Sequence, residues 1–181
     1  PLRPTQEPQR TQPSVRKMNL MPEGWEEIPA SEETKIRAVW ASQFRSGAAV
    51  RLPTPSWTWS GEALAQHVQK PELVIEFADK LLTALRGCTP PGEQLWVIEW
   101  QHAWYRLDPH RARGGWPYSV LPNGDACHIL APDGRFGLTS GWRQTGPVTL
   151  FGEDLLRAFE ANPPLRFLDT CGPGERRRIQ P

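Results

Sequence analysis

Apolar residues recur at helical spacing in three stretches of the chain. Residues 71–87, PELVIEFADKLLTALRG, place Leu73, Val74, Phe77, Leu81, Leu82 and Leu85 on one face. Pro71 suits a first helical turn, whose N–H groups have no intrahelical acceptor, and Gly87 can end the helix. Residues 31–44, SEETKIRAVWASQF, bring Ile36, Val39, Trp40 and Phe44 together. Ser31 reads as an N-cap there, and the acids of the first turn complement the helix dipole. Residues 152–164, GEDLLRAFEANPP, turn Leu155, Leu156 and Phe159 inward and stop before Pro163.

Between the second and third helices the period changes to two. QLWVIEW follows a breaker, and then come AWYRLD, WPYSVL, ACHIL, RFGLTS and GPVTLFG. Asn123-Gly124 and Asp133-Gly134 link consecutive runs as hairpin turns. Trp96, Trp100 and Trp104 are four apart, a spacing that also suits a helix. The β-branched content and the preceding breaker favour the strand, with Trp96, Ile98 and Trp100 on one face and Leu95, Val97 and Glu99 on the other. The expected fold is α+β: an antiparallel β-meander of about five or six strands with helices packed on one face.

Composition bounds this picture. The chain has 181 residues, enough for one domain with tails. Residues 1–20 are rich in Pro, Gln and Arg and lack the apolar surface to offset ordering, so they read as a disordered extension or linker. Residues 21–170 read as the folded domain and 171–181 as a basic flexible tail. Nine tryptophans can anchor a small core, since each buries about 150–250 Å². The formal net charge of +1 gives no field that would recruit nucleic acid or an anionic membrane. No run approaches the roughly 20 apolar residues of a membrane helix, and no apolar leader opens the chain. Three scattered cysteines, Cys88, Cys127 and Cys171, make neither a disulfide framework nor a zinc pattern. A cytoplasmic protein is the expectation.

Candidate chemistry concentrates in EWQHAWYRLDPHR, residues 99–111. His102, Asp108 and His110, with His128, have the ligand types of a metal site but no established ligand spacing, so neither a metal nor a cofactor is expected. The bland reading has the histidines bonded to backbone and Asp108 capping the turn before Pro109. Glu99 is the one acid inside an apolar strand, either a base or the partner of Arg106. Cys127 and His128 are adjacent in a strand and point to opposite faces, so they are not a thiolate–imidazole pair. Trp57, Trp59, Trp104, Tyr105, Trp116 and Trp142, with Arg106, Arg111, Arg113 and Arg143, could stack on a base, a sugar or an aromatic peptide. No phosphate loop, nucleophile elbow or dinucleotide fingerprint occurs.

The succession LWVIEWQHAWYRLDPHR, LPNGDACHILAPDGRFG and LFGEDLL resembles the bacterial domain of unknown function 2716, over residues 94–157. PTPSWTW is a weaker match upstream. The resemblance places Trp100, Gln101, His102, Tyr105, Asp108, Pro109, His110, Gly124, Asp125, Asp133, Phe136, Gly137 and Trp142 at family positions. Ala126-Cys127 departs from the aromatic hairpin of that family, and LTSGW lacks its histidine. The resemblance implies one fold and one domain and adds little about activity, the family being uncharacterised. The leading functional expectation is a binding module for another protein, toxin-neutralising or regulatory, using Trp100, Gln101, His102, Tyr105, Arg106, Asp108, His110 and Trp142. A small-molecule ligand is the lesser option. The rival is a small enzyme, such as a metal-assisted hydrolase, built on His102, Asp108, His110 and Glu99.

Overall fold

The computed structural model describes residues 21–46, 49–50, 55–66, 70–99, 102–113, 115–117, 119–121, 126–141 and 146–177. In chain order the elements are β1 (Trp25–Glu27), α1 (Ala30–Phe44), β2 (Arg45–Ser46), β3 (Ala49–Val50), β4 (Ser56–Trp59), α2 (Gly61–Ala65) and α3 (Pro71–Cys88). They continue as β5 (Leu95–Glu99), β6 (Tyr105–Leu107), β7 (Cys127–Leu130), β8 (Gly137–Ser140), β9 (Val148–Phe151), α4 (Glu153–Ala161), α5 (Leu165–Cys171) and β10 (Glu175–Arg177). Eight strands form one sheet in the order β1-β6-β5-β7-β8-β9-β4-β10, and β2 pairs only with β3. Every pairing is antiparallel. The class is the expected α+β, with more strands than the period-two pattern alone predicts.

The five strands β5 to β9 all come from runs of period two. They do not make a simple meander, because β6 and β7 flank β5 on opposite sides. WPYSVL contributes no strand among its described residues, although Val120 and Leu121 are buried. The turn at Asp133-Gly134 forms as expected: the Gly134 N–H donates to the Ala131 carbonyl at 2.8 Å, and Gly134 takes φ +73°. Asn123-Gly124 lies outside the described residues.

Strand alternation divides the sheet into two faces. Leu95, Val97, Ile129, Leu138, Leu150, Trp57 and Trp59 share the larger core with Phe77, Leu81 and Leu85 of α3, Leu155 and Phe159 of α4, and Phe167 of α5. Of the inward set expected for α3, Leu73, Phe77, Leu81 and Leu85 are buried and Val74 and Leu82 partly so, while Ala78 and Ala84 join the buried face. Gly87 does not end this helix, which runs on to Cys88. A Cβ at Gly87 would meet Ala158 Cβ of α4 at 3.5 Å, an ordinary packing distance.

The helices are not confined to one face. Ile36 of α1 packs with Ile98, Leu130, Phe151, Ile28 and Trp104 on the opposite side, with Trp40 and Trp96 against them. The odd and even positions of β5 are both apolar, so both faces need a cover. Helix α1 starts at Ala30, one residue before the expected cap, where the Pro29 carbonyl accepts from the N–H groups of Glu32 and Glu33.

The sheet also extends beyond residue 170, into the segment read as a flexible tail. Strand β10 pairs with β4 through Glu175↔Thr58 and Arg177↔Ser56. The reason lies in the core. Trp57 and Trp59 are fully buried, and a buried indole N–H needs an acceptor. Trp57 donates to the Pro173 carbonyl, and Trp59 to that of Gly172 at 3.2 Å. Two tryptophans thus hold the chain against β4.

Candidate functional site

The polar residues of EWQHAWYRLDPHR separate to two ends of the sheet. Register sets Leu107 opposite Leu95 and Tyr105 opposite Val97. Asp108 therefore lies past the Leu95 end of β5, about 17 Å along the strand from Glu99. The four candidate catalytic residues, His102, Asp108, His110 and Glu99, do not converge.

At the first end every polar group serves the turn. Asp108 is buried, and its Oδ1 accepts from the His110 N–H at 3.0 Å and the Arg111 N–H at 3.3 Å. A ring nitrogen of His110, Nε2, lies 2.7 Å from the Thr89 carbonyl, just beyond α3. Arg86 of α3 donates Nε–H to the Pro109 carbonyl at 2.7 Å and Nη2–H to that of Ala112 at 2.9 Å. The Asp-Pro-His segment is a clamp between a loop and a helix end, which is the bland reading of these residues.

At the other end Glu99 is 1% exposed, and its Oε2 lies 3.9 Å from Nε2 of the exposed His102. Arg106 is not Glu99's partner. It pairs across the sheet edge with Glu32 of α1 and, at 3.9 Å, with Glu26 of β1. Tyr105 packs edge-on against Trp25, with ring centroids 6.2 Å apart. Burial pushes the Cys127 thiol far up, reinforced by Glu99, so this cysteine is an inert packing residue. Trp100, Gln101 and Trp142 lie outside the described residues, as do Gly124, Asp125 and Arg143. No group of three His, Cys, Asp or Glu side chains able to hold a metal occurs among the described residues.

Beside the Glu99 end, Arg37 and Trp40 of α1 close a small cleft over the sheet. Ile98, Glu99, Trp104, Ala126 and His128 line it with them, and its volume is about 70 Å³. His128 faces α1 while Cys127 faces the larger core, as the alternation predicts. The rings of Trp40 and His128 lie 5.3 Å apart. The Arg37 guanidinium sits 4.7 Å above the Trp104 ring, whose N–H donates to the Glu99 carbonyl at 2.9 Å. Nδ1 of His128 is enclosed and has no hydrogen-bond partner.

Burial pushes the His128 imidazole down from 6.5 to about 4. The unfolded chain takes up that proton near 6.5 and the folded chain only near 4, so acid favours unfolding across this window. The stability is complete above the unfolded value and drains as pH falls through the folded one. The expected loss between pH 7 and pH 5 is about 2 kcal/mol from this residue. Urea unfolding of the natural chain and of His128→Phe at both pH values checks this. The variant should show the flatter dependence, and identical slopes would refute the assignment.

A larger cleft of about 330 Å³ opens at the far edge of the sheet, between α4 and the β4–β10 pair. Pro55, Ser56 and Trp57 form its floor, with Glu153, Leu156, Arg157, Glu160, Arg176 and Arg177 around it. The Arg176 guanidinium lies 4.1 Å above the Trp57 ring and pairs with Glu160. Arg157 pairs with Glu153 at 2.8 Å. Sequence reasoning named Trp57 as a stacking candidate and read the tail arginines as solvated. It had no local signal that β10 returns to Trp57.

Comparisons with known proteins agree with the resemblance seen in the sequence. Residues 25–156 match the family described as "Protein of unknown function (DUF2716)". The chain is 31% identical over 109 residues to "Uncharacterized protein YxiI" of Bacillus subtilis (strain 168). That alignment covers 57% of this chain and 66% of the relative, just under two thirds of its length. No solved structure matches. No described helix is long and apolar enough to cross a membrane. The matched span runs from β1 into α4, takes in the whole lining of the small cleft and part of that of the larger one, and places the chain in the DUF2716 family.

Proposed function

We propose that the domain acts by binding another protein, and that the partner seats in the cleft between α4 and the β4–β10 edge. The observation that carries this reading is the cleft itself, about 330 Å³ of open space beside the last strand of the sheet. Arginines, a residue type that dominates partner recognition, stand around it, and the buried Trp57 ring supports Arg176 from beneath. Trp57 is fixed from two sides, by its N–H bond to Pro173 and by Arg176 over its ring. Little side-chain order is therefore lost on binding. Strand β10 is exposed along its length, and its outer edge offers backbone groups that an extended segment can pair with. The enzyme reading has weaker support, since Asp108 and His110 are occupied with backbone far from Glu99 and His102.

Site-specific photo-crosslinking in the native host tests the reading. A photoreactive residue in place of Arg177 or Arg157 should give one discrete adduct, whereas one in place of the exposed Asp79 on α3 should give none. Arg176→Glu should weaken the adduct. Equal labelling from all three positions, or none from any, would overturn it.

A further inference from the structure

We propose that the small cleft between α1 and the sheet, lined by Arg37, Trp40, Ile98, Trp104, Ala126 and His128, is a subsite for a single carboxylate group. The inference is independent of the partner cleft at the other edge. Most of this lining is apolar: two indoles, Ile98 and Ala126. Three polar residues interrupt it, Arg37, Glu99 and His128, and neither Arg37 nor His128 has a described partner that uses it up. Arg106, Arg135, Arg157, Arg176 and Arg177 each pair with a carboxylate. Arg37 instead rests on the face of Trp104, and no described carboxylate pairs with it. The other of these two is His128, whose Nδ1 is enclosed and has no hydrogen-bond partner. A buried nitrogen left in that state is costly unless something occupies the site.

Glu99 also lines the cleft, with its side chain turned away from it. Its side chain shares a sheet face with Cys127, while Ile98 and His128 share the other. Its carboxylate lies toward His102, and its main-chain carbonyl is taken by Trp104. What remains is a guanidinium and an imidazole beside aromatic walls. A guanidinium pairs with a carboxylate by charge-assisted hydrogen bonds, and a neutral imidazole supplies one further N–H. The indoles then cover a short apolar stem. The volume of about 70 Å³ matches roughly two waters, so it admits one such group and not a whole ligand.

Tryptophan fluorescence of the full chain reads the site, because Trp40 and Trp104 form its walls. Propionate is titrated beside propionamide, its neutral counterpart, and beside a short peptide whose only carboxylate is a glutamate side chain. Either propionate or the peptide should give a saturable change that propionamide does not. Arg37→Met and His128→Gln should each weaken binding on the order of 10- to 100-fold. Lys35→Met, which removes the same charge from an exposed position on α1, should leave it unchanged. Saturation by propionate identifies a free acid as the source, and saturation by the peptide alone identifies a polypeptide. The proposal fails if neither saturates, if propionamide binds as well as propionate, or if Lys35→Met weakens binding as much as Arg37→Met. Circular dichroism of each variant separates lost binding from lost folding.

Discussion

Replacing Phe77 by alanine is expected to remove about 3–5 kcal/mol of folding stability. Phe77 is fully buried, and its ring joins four elements. It meets Trp59 of β4 edge-on at 6.0 Å, Phe159 of α4 at 5.5 Å and Phe167 of α5 at 4.8 Å. A neighbour that moved to fill the void would have to leave its own contacts, because the other rings are also packed against each other. Ile75, two residues earlier on the same helix, is 60% exposed and serves as the control. Its alanine variant should lose no more than about 0.5 kcal/mol. Urea midpoints at constant slope measure both. A loss below about 1 kcal/mol at Phe77 would show that the aromatic cluster can collapse around the gap.

The second large effect is in the backbone. Gly152 precedes α4 with φ +93°, and its N–H donates to the Pro55 carbonyl at 3.0 Å. A Cβ there would lie 2.5 Å from Phe136 Cβ, 2.7 Å from Phe136 Cα and closer still to the Arg135 carbonyl oxygen. None of these is a flexible side-chain end. Gly152→Ala therefore combines dihedral strain with a forced displacement of the β7–β8 connection and should cost about 2–5 kcal/mol. Gly115 separates the two terms. It has nearly the same φ, +94°, but nothing lies within 4 Å of its would-be Cβ. Gly115→Ala carries the dihedral term alone, about 1–3 kcal/mol. Equal losses at the two positions would mean that the clash at Gly152 relaxes freely.

The parts of this fold that depend on local periodicity were legible. Helix α3 and its buried face follow from one apolar stripe, and β5 from alternation and β-branching around Val97 and Ile98. What stayed hidden depends on partners distant in sequence. Ser56–Trp59 is a strand because it has β9 on one side and β10 on the other. Glu175–Arg177, which carries no apolar residue, could not be read as a strand from its own composition. The faces were separable from β5 alone, since both its odd and even positions are apolar, yet α1 was assigned no face of its own.

The candidate site was legible in its residue types and not in its grouping. Asp108 and His110 looked like chemistry because aspartate and histidine also serve turns, and only the bonds to Arg111, Thr89 and the loop reveal the latter use. His128 drew attention as a possible ligand. Its meeting with Arg37 required α1 to cross the sheet, which no spacing within either segment encodes.

The strand order has a consequence for how the chain reaches its native state during synthesis. Trp25 must wait for Leu107, Trp59 for Val148, and Thr58 again for Glu175. Most of the first half of the chain thus leaves the ribosome before its strand partners exist. Within the large sheet, only β5 with β6, and then β7 to β9, can pair with segments made shortly before them. That inner block is the natural nucleus, and β1, β4 and β10 add to it by closing long loops, which is slow. In the interval Trp57 and Trp59 are exposed on a nascent chain that has nothing yet to cover them. A chain released early, ending with α5 at Cys171, would keep its helices but present both indoles without the carbonyls of Gly172 and Pro173. The core of this domain therefore closes only once Gly172 and Pro173 have been made and reach the two indoles.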